Sequence, residues 1–156
     1  MKIWLFLLVF FSPYTLAENT FWQQGKTDKA YDITVYRSAS CGCCKGWIAH
    51  LKDHHFVVND ITVDDVQAYK TQHGIPPQAA SCHTAVVNDV VIEGHVPAQD
   101  IKRLLAQKTD TRILTVPSMP SGTPGMDSPG APKDNFRVYS ISHTDKVGIF
   151  KHYDNY

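Results

Sequence analysis

The sequence predicts a single α/β domain, in which strands and helices alternate along the chain and pack in layers. Three observations support this prediction. Apolar, β-branched runs are separated by segments with helical periodicity. The chain has 156 residues, of which 43% are hydrophobic, and this is enough for one domain with a core. A segment rich in Pro, Gly and Ser follows residue 108 and leads to a closing β-hairpin.

The first half of this pattern has a β-α-β-α order. A first strand is predicted over residues 32–36 and a first helix over 43–54, where apolar side chains recur at helical spacing. A second strand is predicted over 56–63. The second helix, over 64–73, begins with two aspartates, which the helix dipole favours, and it is stopped by Gly74.

The second half of the pattern adds a hairpin and a third helix. Residues 75–78 are expected to form an extended loop, because a residue before proline avoids the α region. Strands over 84–87 and 90–92 flank a two-residue turn. Pro97 is expected at the first position of the third helix. The resulting order, β-α-β-α-β-β-α, is that of the thioredoxin-like fold, in which a reactive thiol lies between the first strand and the first helix.

The N-terminus has the pattern of a secretory signal peptide over residues 1–17. Lys2 supplies positive charge, Ile3–Phe11 an apolar core, and Thr15 and Ala17 small residues at a cleavage site. The apolar core is short for a membrane span of about 20 residues, which favours cleavage over retention as an anchor. We therefore expect an exported, periplasmic protein with no stable membrane span after cleavage. The 15 basic and 15 acidic residues form no basic patch, which argues against a nucleic-acid partner.

The chain after the signal peptide divides into three parts, which are a lead-in at 18–30, the thioredoxin-like domain at 31–108, and a Met-bearing loop with the closing β-hairpin at 109–156, packed on the same domain. The lead-in is polar apart from Phe21 and Trp22, whose rings we expect to dock it. The hairpin strands are predicted over 136–142 and 147–152.

Three of the four cysteines, Cys41, Cys43 and Cys44, lie within four positions where the first helix begins. Ser40 is the predicted N-cap. Unpaired backbone N–H groups and the helix dipole favour anions at this position, which lowers the pKa of a thiol and favours thiolate. Thiolate attacks disulfides and binds soft metals. Cys82, the fourth cysteine, precedes the third strand.

Several functions are compatible with these cysteines. Two structural disulfides fit poorly, because three thiols on one helical turn constrain little chain. Cys41 and Cys44 have the C-x-x-C spacing of a redox-active dithiol, which makes a thiol–disulfide oxidoreductase one hypothesis. Cys43 would compete for that disulfide, and this favours a thiolate site for Cu(I) that holds several ions through bridging sulfurs. A structural zinc module is a third hypothesis, although zinc-binding cysteines usually come as two spaced pairs.

Methionines and histidines supply further candidate ligands. Met119 and Met126 both lie in the Pro/Gly loop, where gap-filling is the alternative role. We expect this loop to fold over the thiols and to offer a thioether. Both Met119 and Met126 are candidates for this ligand. His83 and His95 lie near strand ends that face the first helix. Three roles are open to each of them, namely metal ligand, proton carrier or hydrogen-bonded structural group. Four further histidines at helix positions are predicted to be solvated, namely His50, His54, His55 and His73.

A set of motifs in this chain resembles one family, the CopG-type periplasmic copper-resistance proteins, over residues 32–127. The motifs are Tyr36-Arg37-Ser38 before Cys41-Gly42-Cys43-Cys44, Gly74-Ile75-Pro76-Pro77, Ser81-Cys82-His83-Thr84, Glu93-Gly94-His95-Val96-Pro97-Ala98, Pro117-Ser118-Met119-Pro120 and Gly125-Met126. True thioredoxins carry a cis-proline just before the third strand, where it helps to dock peptide substrates. Cys82 and His83 occupy that neighbourhood here, which argues against a protein-disulfide substrate.

The resemblance implies a thioredoxin-like fold and a cysteine-bridged cluster of several copper ions, with a role in copper tolerance and in interconverting Cu(I) and Cu(II). The cluster cysteines of the family map onto Cys41, Cys43, Cys44 and Cys82, and a methionine contribution maps onto the loop that holds Met119 and Met126. If this holds, copper ions are the primary partners, periplasmic copper chaperones or efflux components are candidate protein partners, and copper oxidoreductase is a candidate activity.

Overall fold

One mixed sheet organises the part of the chain that the structure describes, which is residues 21–156 of a computed structural model. The predicted signal peptide at 1–17 lies outside the described residues. The elements in chain order are β1 (Tyr31–Arg37), α1 (Gly42–Asp53), β2 (Phe56–Thr62), α2 (Val66–Gln72), a 3₁₀ turn (Pro77–Ala79), β3 (Thr84–Val87), β4 (Val90–Glu93), α3 (Ala98–Leu105), β5 (Thr111–Thr115), β6 (Phe136–Ser142) and β7 (Val147–Tyr153). Within this range the seven strands lie in the order β2-β1-β3-β4-β5-β6-β7.

The predicted α/β thioredoxin-like fold is confirmed by the pairing of the first four strands. β1 and β2 are parallel and α1 connects them, so they form a βαβ unit. β3 is antiparallel to both β1 and β4. The β3–β4 hairpin closes through a two-residue turn in which Asn88 has a φ of 50°, a left-handed conformation that asparagine tolerates.

The helix starts differ from the predicted ones by one or two residues. Cys41, and not Ser40, is the N-cap of α1, and its side chain caps no backbone N–H. Asp65 caps α2 by accepting a hydrogen bond from the backbone N–H of Ala68 at 3.1 Å. Pro97 is the N-cap of α3 and not its first helical residue. The loop expected to be extended throughout contains the 3₁₀ turn at Pro77–Ala79.

Strand β5 was missed by the sequence analysis, which assigned everything after residue 108 to the loop and the closing hairpin. β5 pairs in parallel with β4 and antiparallel with β6. As a result α3 crosses over between two parallel strands, and the β6–β7 hairpin continues the same sheet. The hairpin strands themselves occupy the predicted positions to within one residue.

Apolar side chains bury both faces of the sheet. Neighbouring residues of one strand point to opposite faces, and Ile92 accordingly packs with Trp47 of α1, whereas Val91 packs with Ile75. Trp22 of the lead-in is 2% exposed and donates from its indole Nε1 to the carbonyl of Gly122 at 3.0 Å. The core on the α1 side therefore fastens both the lead-in and the Pro/Gly loop.

Two histidines of the first helix region are buried, so the prediction that they are solvated was wrong. His50 is 7% exposed, and its Nε2 accepts from the first backbone N–H of α3 at 3.0 Å. His54 is fully buried and its Nε2 donates to the carbonyl of Trp22 at 2.7 Å. Burial lowers the pKa of His50 to about 3 and also lowers the pKa of His54. His55 is exposed and His73 half-buried.

Within residues 21–156, no helix combines the length and the apolar character that crossing a membrane requires.

Candidate metal centre

The sulfur atoms of all four cysteines meet at the start of α1. Cys41, Cys43 and Cys44 come from the first helical turn, and Cys82 from the segment before β3, 38 residues after Cys44. All four Sγ atoms lie within 4.8 Å of one another. The Sγ of Cys41 is 3.6 Å from that of Cys43, and the Sγ of Cys44 is 3.7 Å from that of Cys82. The parallel βαβ unit and the antiparallel β3 thus bring two distant segments to one point.

The four sulfurs differ in bonding and in burial. A disulfide joins Cys41 and Cys44, while Cys43 and Cys82 are free thiols. Cys44 is fully buried, and the other three are half-buried. This disulfide is the C-x-x-C pairing on which the oxidoreductase hypothesis rests. Its reduction would leave four thiols facing one another.

Two imidazoles contact the sulfur of Cys82. The Nδ1 of His83 lies 3.2 Å from the Sγ of Cys82, and the Nε2 of His95 lies 3.1 Å from it. Both rings are fully buried. The other nitrogen of His95 donates to the carbonyl of Pro124 at 2.8 Å, whereas the Nε2 of His83 has no hydrogen-bond partner among the described residues. The ring of His83 packs against Trp47, with 4.3 Å between the ring centroids.

Burial sets the protonation of these groups. It raises the pKa of the Cys82 thiol to about 12, and the neighbouring thiol of Cys43 adds to this effect. The lowered thiol pKa expected at the helix start therefore does not extend to Cys82, which lies on a loop. Burial lowers the pKa of His95 and holds the pKa of His83 well below its usual range. At neutral pH the two imidazoles are neutral, and a metal ion that binds the sulfur of Cys82 must displace its proton.

The Pro/Gly loop packs on the thiol-bearing turn through Gly125. A Cβ placed on Gly125 would lie 2.6 Å from the carbonyl oxygen of Cys43 and would also collide with the backbone nitrogen of Trp47. The loop backbone therefore touches the backbone of α1 directly. Met126, the next residue, is half-buried beside this contact.

Met119 is 51% exposed and lies in a different setting. It lines a groove of about 1060 Å³ whose walls include Pro76, Phe136 and Tyr139, and no cysteine of the described chain lines that groove. The residue before it, Ser118, accepts a hydrogen bond at its carbonyl from the hydroxyl of Ser81, which precedes Cys82. Met126 thus follows a residue that contacts the turn with three thiols, and Met119 follows a residue bonded to the neighbour of Cys82.

A buried ion pair behind Cys82 was not anticipated from the sequence. Glu93 at the end of β4 is fully buried, and its carboxylate lies 2.5 Å from the Nζ of Lys70 in α2. Lys70 is 4% exposed. No pattern in the sequence distinguishes this lysine from a solvated one, because its partner lies 23 residues away.

Comparison with known proteins agrees with the fold and with the resemblance in the motifs. A family model described as "Protein of unknown function, DUF411" matches residues 79–126. Two solved structures, both titled copper resistance protein CopG and labelled Form 2 and Form 1, are 38% identical to this chain with TM-scores of 0.77 and 0.76. Each match covers 81% of this chain and 100% of the CopG chain. No curated protein gives a significant match.

The fold and the sulfur cluster define the class to which this protein belongs, that of thioredoxin-like proteins with a thiol-rich site at the start of the first helix. The identity of 38% over the full length of the solved CopG chains goes further. The chain belongs to the CopG family of copper-resistance proteins, and the resemblance noted in its motifs is confirmed.

Proposed function

We propose that this chain is an exported copper-tolerance protein that binds Cu(I) through Cys41, Cys43, Cys44 and Cys82. The observation that carries this proposal is the convergence of four sulfur atoms within 4.8 Å from two separate segments of the chain. Soft thiolate ligands favour Cu(I) over harder cations. The solved relatives are named copper-resistance proteins.

The donor set fits copper on chemical grounds. The sulfur of Cys82 is shared between the cysteine cluster and a second group formed with His83 and His95. Imidazole nitrogen suits copper, and the Nδ1 of His83 and the Nε2 of His95 both face this sulfur as nitrogens of neutral rings. Four thiolates are more than one Cu(I) ion needs, so we propose several ions that share sulfurs. Met126 and Met119 are the proposed thioether donors.

The disulfide and the four-thiolate site exclude each other, because the disulfide withdraws Cys41 and Cys44 as thiolate ligands. We propose that this site also interconverts Cu(I) and Cu(II), with the Cys41–Cys44 disulfide as the electron acceptor, so that one disulfide is reduced to two thiolates for every two Cu(I) ions oxidised to Cu(II). Export to the periplasm, and copper chaperones or efflux components as protein partners, belong to the same proposal. The mass of the secreted chain tests export, since cleavage of the predicted signal peptide would leave Glu18 as the first residue.

An anaerobic Cu(I) titration of the reduced protein against a competing chelator tests the proposal. We expect more than one copper per chain, and we expect Cys43→Ser and Cys82→Ser to lower both stoichiometry and affinity. Lys45→Ser changes an exposed neighbour on the same helical turn and serves as the matched control. A wild-type protein that retains at most one copper per chain would refute the polynuclear site.

The disulfide between Cys41 and Cys44 favours a second candidate, a thiol–disulfide oxidoreductase. Cys43→Ser separates the two candidates. An oxidoreductase keeps its disulfide exchange in this variant because its C-x-x-C pair is intact, whereas a copper cluster loses a ligand. Competition with Zn²⁺ during the same titration tests the structural zinc hypothesis, which requires zinc to be retained in preference to copper.

A further inference from the structure

The segment that carries Cys82 is held by a side chain and not by a regular element. Residues 80–83 lie between the 3₁₀ turn and β3 and belong to neither. Glu93 Oε1 accepts a hydrogen bond from the backbone N–H of Ser81 at 2.6 Å, and Glu93 Oε2 accepts one from the hydroxyl of Thr84 at 2.7 Å. One buried carboxylate thus bonds to the residues on both sides of Cys82 and His83.

Lys70 completes this arrangement. Its Nζ donates to Glu93 at 2.5 Å and to the hydroxyl of Thr84 at 3.1 Å. An unpaired carboxylate in this position would be costly, because a buried charge requires a partner and hydrogen bonds. An ionised carboxylate accepts hydrogen bonds at two oxygens, whereas an amide side chain has one acceptor oxygen and an apolar side chain has none.

We propose that Glu93 is a positioning residue, which fixes the sulfur of Cys82 against the three sulfurs of α1, and that Lys70 holds Glu93 in place. The proposed effect of Glu93 on sulfur spacing is argued only from its hydrogen bonds to Ser81 and Thr84. The effect on copper rests on the proposed function, and groups that orient a metal ligand commonly change metal affinity by about 10–100-fold.

The first test measures sulfur spacing without metal. In a Cys41→Ser/Cys43→Ser background, Cys44 and Cys82 are the remaining cysteines, and their sulfurs lie 3.7 Å apart. Equilibrating this protein with glutathione gives the effective molarity of the pair. Adding Lys70→Met and Glu93→Leu together replaces the ion pair with apolar side chains, a change that many folds tolerate. We expect the effective molarity to fall about tenfold or more, since small displacements of reacting groups have effects of this size.

One control and two further variants separate positioning from general destabilisation. Tyr153→Phe removes a buried hydrogen bond to Asp100, 2.8 Å long and outside the cysteine site, and should leave the effective molarity unchanged. Lys70→Met alone leaves the buried carboxylate of Glu93 without its ion-pair partner, and it should also lower the effective molarity because Lys70 holds Glu93 in place. Thr84→Val preserves the shape of the side chain and removes its hydrogen bonds to Glu93 and from Lys70. It should lower the effective molarity, and it provides this test even if the double substitution prevents folding.

The second test is the Cu(I) titration of the same substitutions in the four-cysteine protein. We expect affinity to fall about 10–100-fold in the Lys70→Met/Glu93→Leu variant, with Tyr153→Phe at the wild-type value. A folded double variant with wild-type effective molarity overturns the proposal, as does a folded Thr84→Val with wild-type effective molarity if the double variant does not fold. If wild-type protein binds no copper, the proposed function fails, while the glutathione measurement still decides the role of Glu93.

Discussion

Gly125→Ala should detach the Met-bearing loop from the thiol-bearing helix. Gly125 has a φ of +83°, and a Cβ there would lie 2.6 Å from the carbonyl oxygen of Cys43 and 2.9 Å from the carbonyl carbon of Gly46. These are backbone atoms of α1, so no side-chain rotation relieves the collision. Either the helix or the loop must move, and the helix is fixed by the core.

Gly130→Ala is a matched control for this substitution. Gly130 has a φ of +76° in the same loop, but a Cβ there would have no neighbour within 4 Å. An alanine in the left-handed region costs about 1–2 kcal/mol, which applies to both variants. Overpacking a tight contact adds about 1–3 kcal/mol in the Gly125 variant only. We therefore expect a loss of about 1–2 kcal/mol for Gly130→Ala and about 2–5 kcal/mol for Gly125→Ala.

Urea denaturation of the reduced, metal-free proteins measures these losses. Because the loop can also detach while the rest stays folded, trypsin cleavage after Lys133 provides a second measurement, and we expect it to be faster in Gly125→Ala. Cu(I) affinity should fall in Gly125→Ala and stay near the wild-type value in Gly130→Ala if the loop supplies a thioether. Equal stability and equal cleavage rates in the two variants would refute the argued contact between the loop and α1.

Two further predictions concern the buried groups around α1. Burial lowers the pKa of His50 to about 3, while an exposed imidazole titrates near 6.5, so unfolding takes up a proton and stability is lost as the pH falls from about 6.5 towards 3. At pH 5.5 this loss is about 1.4 kcal/mol. In urea melts, His50→Gln should therefore lose less unfolding free energy between pH 7.5 and 5.5 than the wild-type protein loses. An equal loss in both proteins would contradict the argument. Trp22→Phe leaves the carbonyl of Gly122 without its donor and should cost about 1–3 kcal/mol in the same melts, whereas a loss within error of zero would show that water replaces the indole.

The sequence was most informative where the pattern is local. The region from β1 to α1 spans fewer than 25 residues, and the turn of the β3–β4 hairpin has two residues. Hydrophobic periodicity and turn residues are therefore enough to predict these elements. Strand β5 is different. Its five residues contain two central apolar side chains, Ile113 and Leu114, and its strand character comes from pairing with β4 and β6 on both sides. Such pairing depends on tertiary structure, which a window of sequence does not contain.

The buried histidines were misjudged for a related reason. His50 and His54 lie three residues after Trp47 and Leu51, which are on the buried stripe of α1, and this spacing was available in the sequence. Polarity predicts solvated side chains at these two positions, whereas the position on the helix predicts burial. What the sequence did not contain is the pair of partners that makes their burial tolerable, the N–H of Ala98 and the carbonyl of Trp22.

The two thiol-bearing segments share a mode of attachment that explains why charged side chains lie so close to the core. Arg37 binds Asp60 through two hydrogen bonds of 2.8 and 2.7 Å and also donates to the carbonyl of Ser38, just ahead of Cys41. Glu93, paired with Lys70, accepts a hydrogen bond from the backbone N–H of Ser81, just ahead of Cys82. A buried ion pair adds little net stability compared with an apolar pair of similar volume. Its directional hydrogen bonds, however, fix loop backbone that no strand or helix holds, and the spacing of the four sulfurs depends on those two loops.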